Sequence, residues 1–282
     1  MSAGGADRAR STGVAGRRFF KMTGSGNDFL VFDVADGDPA ALEDPQVIRA
    51  VCARGMGVGA DGIVILDRSG RVPSIRYYNA DGTRADLCGN ATLCSVALSA
   101  SGGRLPGGTI RTDAGELAAR LVDGVPEVQL EPIEGLRTDV PQVKLEPGER
   151  RAGFAVAGVP HLVILCDDLA TVPVEARGPV LRRHPAVGST GANVNWVGKK
   201  DGRWAYRTFE RGVEGETLAC GTGAVVTAAL LAAWGAAKSP VELWTSSNRP
   251  LVVTLPADPH GRASLRGEGR LVFEGKLVDP GI

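Results

Sequence analysis

Two cysteines, Cys88 and Cys220, lie 132 residues apart in matching local sequences. Each is followed by glycine, a small polar residue and a run of small apolar residues, which is typical of a loop that leads directly into a helix. Free N–H groups and the dipole at a helix N-terminus favour a thiolate, so we expect both cysteines to have lowered pKa values. One such thiol indicates a nucleophile. Two, at equivalent places in two halves of one chain, predict a site with a thiol on each face of one substrate carbon.

The other three cysteines, Cys52, Cys94 and Cys166, lie inside apolar runs and are predicted to be small core residues. The same interpretation is the alternative for Cys88 and Cys220. Against it, backbone N–H groups at the two Cys-Gly-polar turns form an anion site. A carboxylate bound there would bring its α-carbon next to the sulfur atoms. A zinc site is disfavoured, because these cysteines lack a short Cys-x-x-Cys spacing and no histidine lies nearby.

Polar residues precede the two cysteines at similar distances. Asn79 comes before Cys88, and Glu210 with Arg211 comes before Cys220. An arginine binds a carboxylate through two parallel hydrogen bonds, and a glutamate binds an ammonium group, so this combination suits an amino-acid substrate. The alternative is that Glu210 and Arg211 form an ordinary solvated surface pair.

Two further polar residues stand in turns between apparent strands. Asn27 lies in a Gly-x-Gly-Asn-Asp loop, where it is either a plain turn residue or a site residue. His161 follows a proline in a turn that joins two strands, and by itself it is predicted to be structural. The run Gly55–Gly59 is not a dinucleotide-binding loop, because it precedes a strand instead of opening a helix after one.

Many short β-like runs must position these residues, with two exceptions. Ala91–Ser101 and Ala224–Ala237 are rich in alanine, apolar on nearly every face and long enough for helices, so both are predicted to be buried helices. Each half of the chain is therefore expected to wrap short strands around one central helix that begins at a cysteine. The break between halves is predicted within 131–151, a stretch rich in proline and glutamate.

Composition excludes several classes of protein. The formal net charge is zero, which argues against nucleic-acid or anionic-membrane partners, and no apolar run approaches the ~20 residues that span a bilayer. An odd number of cysteines (five) in a chain of 282 residues favours reduced thiols and a cytoplasmic location. Residues 1–17 have no apolar segment of the secretory type and are predicted to be a disordered extension.

The residues described so far belong to motifs that resemble those of the diaminopimelate epimerase family. The motifs follow one another in the family's order from about Phe19 to Leu277. They are Lys21–Phe29, Gly59–Gly62, Asn79–Gly82 with Cys88–Asn90, Pro160–His161, Asn193–Asn195, Glu210–Gly212 and Glu216–Gly223. Both cysteine motifs are among them, so the resemblance is specific for fold and mechanism.

The resemblance implies an isomerase that converts LL-2,6-diaminopimelate to meso-diaminopimelate in lysine and peptidoglycan biosynthesis, without a cofactor and without a metal. It implies an α/β (α+β) fold of two pseudo-symmetric domains, each a barrel-like, mostly antiparallel sheet around a central buried helix, with the site in the cleft. The expected domains are 18–131 plus 271–282, and 132–270. Diaminopimelate is the expected partner molecule, and a homodimer is one expected assembly.

The resemblance also implies roles for individual residues. Cys88 and Cys220 are the acid/base thiols. His161 is a supporting neighbour. The remaining implied residues bind substrate, and they are Asn27, Asn79, Gly89, Asn90, Asn193, Glu210, Arg211, Gly221 and Thr222.

Three departures from the family's pattern leave the thiols unchanged but affect expected substrate contacts. Ala91–Leu93 replaces a Gly-Ala-Arg run, Val159 replaces an asparagine, and Gly62 replaces a glutamine that is common in the family. A second enzyme class therefore stays open, namely a racemase or epimerase of the same fold that acts on histidine, glutamate or a proline derivative. A thiol-based ligand-binding or redox-sensing module is the non-enzymatic alternative.

Overall fold

Strands account for most of the chain, as the many short β-like runs predict. The computed structural model describes residues 13–103, 105, 108–258 and 260–278. In this part of the chain, no helix is both long enough and apolar enough to cross a membrane.

Eighteen strands occur in the described residues. The first nine are β1 (Arg18–Gly24), β2 (Asn27–Asp33), β3 (Gly62–Asp67), β4 (Ser74–Asn79), β5 (Arg84–Ala85), β6 (Thr109–Thr112), β7 (Gly115–Val122), β8 (Val125–Gln129) and β9 (Glu134–Arg137). The second nine are β10 (Glu149–Ala157), β11 (Val159–Cys166), β12 (Asn193–Lys200), β13 (Arg203–Glu210), β14 (Gly215–Thr217), β15 (Val241–Trp244), β16 (Pro250–Thr254), β17 (Ser264–Gly267) and β18 (Arg270–Lys276).

Four α-helices connect the strands. They are α1 (Pro45–Cys52), α2 (Gly89–Ser101), α3 (Val174–Arg182) and α4 (Gly221–Ala233). The sequence predicted α2 and α4 but not α1 and α3. Helix α1 carries a readable signal, because Asp44 caps it and proline occupies its first position. Helix α3 contains Pro179 in its interior, which argues against a helix in a sequence.

The strand pairing repeats in the two halves. In each half the first two strands are antiparallel, the next pair is parallel and the following pair is antiparallel. The fourth strand then pairs with a short fifth strand and, in parallel, with the sixth. This repeat confirms the predicted α+β class, with mostly antiparallel strands in each half.

The halves exchange their ninth strands. Strand β9 pairs with β10 of the second half, and β18 pairs with β1 of the first. The eighth strands of the two halves, β8 and β17, also pair with each other. The last strand thus lies beside β1, where the resemblance puts it, although the division into two domains stays a prediction.

The predicted disordered N-terminal extension, residues 1–17, includes residues that are packed in the structure. Residues 1–12 lie outside the described part of the chain, but Val14 is fully buried. The N–H of Gly16 donates to the carbonyl of Leu277 at 2.6 Å, and Arg17 is largely buried. Residues 13–17 therefore pack against the end of the last strand, which corrects the expectation that they are disordered.

Helices α2 and α4 are buried on nearly every face, as their alanine-rich sequences predict. A single apolar core surrounds both, and it includes strand residues from the two halves. The replaced run Ala91–Leu93 is fully buried in this core, and the Thr92 hydroxyl donates to the Cys88 carbonyl at 2.9 Å. This departure from the family's pattern therefore affects helix packing and not the surface of the cleft.

Candidate active site

The two cysteines occupy equivalent positions at the starts of the buried helices. Cys88 is the N-cap of α2 with φ −130° and ψ 112°, and Cys220 is the N-cap of α4 with φ −132° and ψ 111°. In each half a hairpin precedes the cysteine, β4–β5 in the first and β13–β14 in the second. The predicted loop-to-helix junctions are confirmed, and the same hairpin–cysteine–helix unit presents each thiol.

The first turns of the two helices approach each other closely. A Cβ atom at Gly221 would lie 3.5 Å from the Gly89 Cα atom and 2.8 Å from Leu265 Cδ2. A side chain at either glycine would therefore press on Leu265 and fill the remaining space between the two helix starts. Because the first N–H groups of a helix have no partner within it, two sets of such donors converge at this contact. The arrangement suits an anion bound between the two N-termini.

Burial raises the pKa of both thiols, contrary to the prediction of lowered values. It raises the pKa of Cys88 to about 12, and the negative charge of Glu210 adds to the effect, whereas the N–H groups of Asn90 and Ala91 and the Tyr77 hydroxyl oppose it. Removal of the sulfur atoms from water outweighs the stabilisation of a thiolate by the helix N-terminus. In the ligand-free protein the thiols are therefore protonated at neutral pH.

Cys220 is in a similar electrostatic setting, but its partners differ. Burial, followed by Glu210, raises its pKa well above the usual range, and the thiol donates a hydrogen bond to the Glu210 carboxylate. The Gly223 N–H and the Thr222 hydroxyl act in the opposite direction. The Glu210 carboxylate also accepts a short hydrogen bond from Thr217, and burial raises its pKa. Glu210 is thus a carboxylate in contact with the thiol and not a solvated surface residue.

A chain of amides connects the first half to the start of α2. The Asn90 side chain donates to Asn27 Oδ1 at 2.6 Å, and the Asn27 side chain donates to Asp61 Oδ2 at 3.0 Å. Arg54 in turn donates to Asp61 Oδ1 at 2.7 Å. Asn27 is therefore positioned on both sides by hydrogen bonds, which a plain turn residue would not need. Asp61, a member of the Gly59–Gly62 motif without a predicted role of its own, anchors this chain.

Asn79 and Asn193 lie at the ends of strands near the cysteines. Asn79 is the last residue of β4 and donates to Thr83 Oγ1 at 3.0 Å. Asn193 begins β12, accepts from the Arg211 backbone N–H at 2.8 Å, and directs its Nδ2 towards Cys220 Sγ at 4.0 Å. Asn193 thereby couples the position of Arg211 to that of the thiol.

Arg211 follows β13 directly, and its guanidinium contacts only a carbonyl. Its Nη1 atom donates to the Thr190 carbonyl at 3.3 Å. Within the described residues, no carboxylate forms an ion pair with this guanidinium, in contrast to Arg207 on β13, which pairs with Glu216. A cation held at the mouth of the second cysteine loop can accept an incoming carboxylate.

His161 is completely buried in β11 and not in a turn, which corrects its predicted location. Asn195 Nδ2 donates to His161 Nδ1 at 3.2 Å, so the proton is on Nε2, which donates to Thr222 Oγ1 at 3.0 Å. Thr222 Oγ1 lies 3.7 Å from Cys220 Sγ. Burial, assisted by Arg211, lowers the pKa of His161 to about 3, so the ring is neutral. The chain orients the Thr222 hydroxyl proton towards the sulfur.

Two tyrosines at the site were not identified from the sequence. The Tyr206 hydroxyl accepts from the Cys220 N–H at 3.0 Å and donates to the Cys220 carbonyl at 2.9 Å, which holds the cysteine backbone in place. Tyr77 directs its hydroxyl at the Cys88 sulfur. Both occupy buried strand positions, where an aromatic residue is usually an ordinary core residue. The alternation of side chains along β4 and β13 could have predicted that both point into the protein, but not that they contact the cysteines.

A model of the family described as diaminopimelate epimerase matches residues 19–131 and 154–267. The chain is 51% identical over 274 residues to the diaminopimelate epimerase of Gemmatimonas aurantiaca, and the match covers 92% of this chain and 99% of that protein. It is 35% identical over 274 residues to the diaminopimelate epimerase of a Hydrogenobaculum species, with coverage of 91% and 97%. The similarity therefore extends over nearly the full length of each relative.

Solved structures with low sequence identity share the fold. A PhzF-family phenazine biosynthesis protein of Bacillus anthracis matches with a TM-score of 0.69 at 15% identity, over 93% of this chain and 99% of that chain. A hydroxyproline epimerase of Agrobacterium vitis, solved with trans-4-hydroxy-L-proline, matches with a TM-score of 0.61 at 19% identity, over 94% and 93%. At these identities the likeness concerns the fold alone.

Proposed function

The chain belongs to the diaminopimelate epimerase family, and we propose that it interconverts LL- and meso-diaminopimelate by moving one α-proton between Cys88 and Cys220. The reaction would serve lysine and peptidoglycan biosynthesis. One observation carries the proposal, namely that the two cysteines cap adjacent buried helices whose first residues, Gly89 and Gly221, are in contact.

The contact between the helices provides the place for the substrate carboxylate. The N–H groups of Gly89, Asn90, Gly221 and Thr222 belong to the two first turns, where helix geometry leaves them without a partner inside the helix. A carboxylate held by donors from both helices has its α-carbon between the two N-caps. As the α-proton leaves, negative charge develops on the same carboxylate, and these donors stabilise it without reorganising. This arrangement supports a reaction without a cofactor.

Proton transfer requires one thiolate and one thiol on opposite faces of the α-carbon. The thiolate removes the α-proton, and the opposite thiol delivers a proton to the other face, so the configuration inverts and the roles of the thiols are exchanged. A thiol whose pKa is raised by burial stays protonated and serves well as the acid. The base must lose its proton when substrate binds, and the converging N–H groups, the substrate ammonium and a closing cleft support that step.

The second-half residues suit the groups of an amino acid. Arg211 has a guanidinium free of carboxylate partners in the described part of the chain and would take a carboxylate. Glu210 would accept an ammonium group and also receives a hydrogen bond from the Cys220 thiol. Asn27, Asn79 and Asn193 would provide further polar contacts. Substrate bound to Glu210 would weaken its repulsion of a Cys220 thiolate, which links binding to activation of the base.

The relatives' names do not favour the alternative of a racemase for another amino acid, since those cited act on diaminopimelate. Gly62 and Val159 nevertheless remove two polar side chains that the family often carries near the substrate. A matched panel of substrates is therefore part of the test.

The test is solvent deuterium exchange with chiral separation of the products. Purified protein, incubated with LL-diaminopimelate in D2O, is expected to form meso-diaminopimelate that carries one α-deuterium. Cys88→Ala and Cys220→Ala should each lower the rate of inversion about 100- to 10,000-fold, because each removes one proton-transfer group. Cys166→Ala is the matched control, since that thiol is buried in the separate core of the second half.

The same assay with L-histidine, L-glutamate and L-proline separates the two enzyme classes. Inversion of one of these and not of diaminopimelate would replace the proposed substrate. Inversion by either cysteine variant at a near wild-type rate would rule out the two-thiol mechanism. Activity is also expected to survive dialysis against a metal chelator and removal of pyridoxal phosphate, in keeping with chemistry that needs neither.

We further propose a cytoplasmic homodimer. All five cysteines are free thiols, which supports a reducing compartment. Strand β18 pairs only with β1 among the described strands, so its other edge is free, and its side chains Leu271, Val272 and Phe273 are exposed. An antiparallel partner strand centred on Val272 would bring Arg270 opposite Glu274 of a second copy, so the edge is self-complementary in charge.

A further inference from the structure

Gly62, which replaces a glutamine common in the family, lies against the side chain of Tyr77. A Cβ atom at Gly62 would be 2.6 Å from Tyr77 Cε2, 2.8 Å from its hydroxyl oxygen and 2.5 Å from the Tyr78 carbonyl oxygen. Real Cβ atoms do not approach other atoms so closely. The tyrosine ring therefore occupies space that any side chain at residue 62 would need.

The Tyr77 ring is held firmly in that space. Only 7% of the residue is exposed, and the ring packs edge-on against Phe29 with a centroid separation of 5.9 Å. Its strand pairs with Ala85, three residues before Cys88. Packing and strand pairing together leave the ring little freedom, so the hydroxyl stays in the position from which it hydrogen-bonds to Cys88.

The groups that face Cys88 come from three directions. The backbone N–H groups of Asn90 and Ala91 and the Tyr77 hydroxyl favour the thiolate, whereas Glu210 across the cleft opposes it. Cys94, nearly two turns further along α2, is buried behind Cys88. Tyr77 is the side-chain donor in this set. At Cys220 the corresponding side-chain donor is a threonine, because the Tyr206 hydroxyl binds backbone atoms.

We propose that Tyr77 is a positioning residue for Cys88, with its ring in the space that Gly62 leaves open and its hydroxyl donating to the sulfur. The consequence is that the two thiols differ: Cys88 becomes a thiolate with help from a phenol, and Cys220 with help from the His161–Thr222 chain. The role in proton transfer rests on the proposed epimerase function, but the effect on the thiol does not.

The test measures alkylation of Cys88 by iodoacetamide without substrate, followed by mass spectrometry of the Cys88 peptide between pH 7 and 9. Tyr77→Phe keeps the ring and removes the donor. If the pKa of Cys88 then rises by about one, the thiolate fraction falls tenfold, and the greater nucleophilicity of the more basic thiolate offsets part of this. The expected rate at pH 8 is about three- to tenfold lower than in the wild type, with no change at Cys220.

Tyr78→Phe is the matched control, because it removes a buried hydroxyl from the next residue of the same strand, where the partner is Glu43 at 2.8 Å. It should leave the Cys88 rate unchanged. Incorporation of 3-fluorotyrosine at residue 77 makes the phenol a stronger donor and should raise the Cys88 rate at pH 7. Should Tyr77→Phe fail to fold, the fluorotyrosine protein decides the question.

An unchanged Cys88 rate in both Tyr77 proteins would overturn the proposal, as would an equal change at Cys220, which would indicate a general loosening of the cleft. Because the alkylation assay contains no substrate, a result against the Tyr77 proposal would say nothing against the epimerase function. A protein that inverts no amino acid but shows the expected alkylation rates would keep the thiol–phenol contact and lose the proposed activity.

Discussion

At the scale of single residues, burial and the helix N-terminus act on the same two thiols in opposite directions. Burial is stronger, so Cys88 and Cys220 are protonated in the ligand-free protein. This state has a use, because a thiolate formed before substrate arrives would be open to alkylation and oxidation. In the proposed mechanism the substrate changes the balance, since it would bring a positive ammonium group to Glu210 and exclude water from the cleft.

A buried neutral histidine makes stability depend on pH. The pKa of His161 is about 3 in the folded protein and near 6.5 when unfolded. The unfolded chain therefore binds a proton that the folded chain does not, so this contribution to stability is complete above about pH 6.5 and is lost progressively as pH falls towards 3. Between pH 7 and pH 5 the wild type should lose about 2 kcal/mol from this group.

Urea unfolding of wild type and His161→Gln at the two pH values measures this loss. The variant should be less stable at pH 7, because the hydrogen bonds of Asn195 and Thr222 are disturbed, but its further loss at pH 5 should be smaller by about 2 kcal/mol. His260→Gln, at an exposed position, is the control and should behave as the wild type. Equal losses in all three proteins would show that His161 does not titrate as described.

At the scale of elements, the hairpin–cysteine–helix unit explains why each site residue is where it is. The last strand residue before the hairpin turn is Asn79 in one unit and Glu210 in the other. The short returning strand then brings the chain back to the start of a helix that is buried on nearly every face. Each unit thus places a polar side chain and a thiol at the same end of a buried helix, and the contact of the two helices joins the two ends into one site.

The contact between the helices predicts the effect of adding a methyl group. Alanine at the first position of a helix usually stabilises relative to glycine, by up to about 1 kcal/mol. At Gly221 the added Cβ would lie 2.8 Å from Leu265 and 3.5 Å from the Gly89 Cα atom. Gly221→Ala should therefore destabilise by about 1–3 kcal/mol and lower kcat about 100-fold, because the N–H donors are displaced.

Gly89→Ala should lower the free energy of unfolding less than Gly221→Ala, because its Cβ would lie 3.2 Å from Leu265 instead of 2.8 Å. Gly70→Ala is the control, with its nearest neighbour at 3.7 Å. Urea unfolding and steady-state kinetics of the three variants give the comparison. A Gly221→Ala protein as stable and as active as the Gly70 variant would contradict the crowding of Gly221 between Leu265 and the start of α2.

At the scale of the whole molecule, the two halves repeat one pattern of strand pairing and exchange their last strands. Strands β9 and β18 each complete the other half, β8 pairs with β17, and one core contains both central helices. Neither half therefore has a complete sheet of its own, and the core around the central helices is shared between the halves. Among the described strands, β18 pairs on one edge only, and large apolar side chains are exposed on its faces.

The free edge of β18 predicts where two copies of the chain would meet in a homodimer. If a second copy pairs with β18, Phe273→Glu introduces a charge into the contact and repeats it across the two-fold axis, so the dimer should dissociate at least tenfold more readily. Val180→Glu is the matched control, because Val180 is 65% exposed on α3, far from this edge in sequence and sheet. Sedimentation equilibrium across a range of protein concentrations measures the dissociation constant of each variant. A monomeric wild type, or a dimer whose dissociation constant does not change with Phe273→Glu, would contradict the assignment of this edge.

Much of the fold could be predicted because local signals agreed with tertiary packing. The two alanine-rich runs predict buried helices, and each begins at a cysteine N-cap. Several strand bounds, such as those of Gly62–Asp67 and Ser74–Asn79, also follow from β-branched and aromatic runs between turns. Helix α3 could not be predicted, because its helical form depends on packing against β13 and not on its own sequence, which contains glycine and proline.

By itself, the sequence determined the kinds of groups at the site, since the cysteine turns, Glu210 with Arg211 and the amides can be read from residue types and spacing. Only the tertiary structure decided the protonation of the thiols and the partners of Tyr77, Tyr206 and His161. Burial and long-range contacts cannot be read locally: the pKa of a thiol depends on how much water its neighbours exclude, and those neighbours come from strands more than ten residues away in the chain.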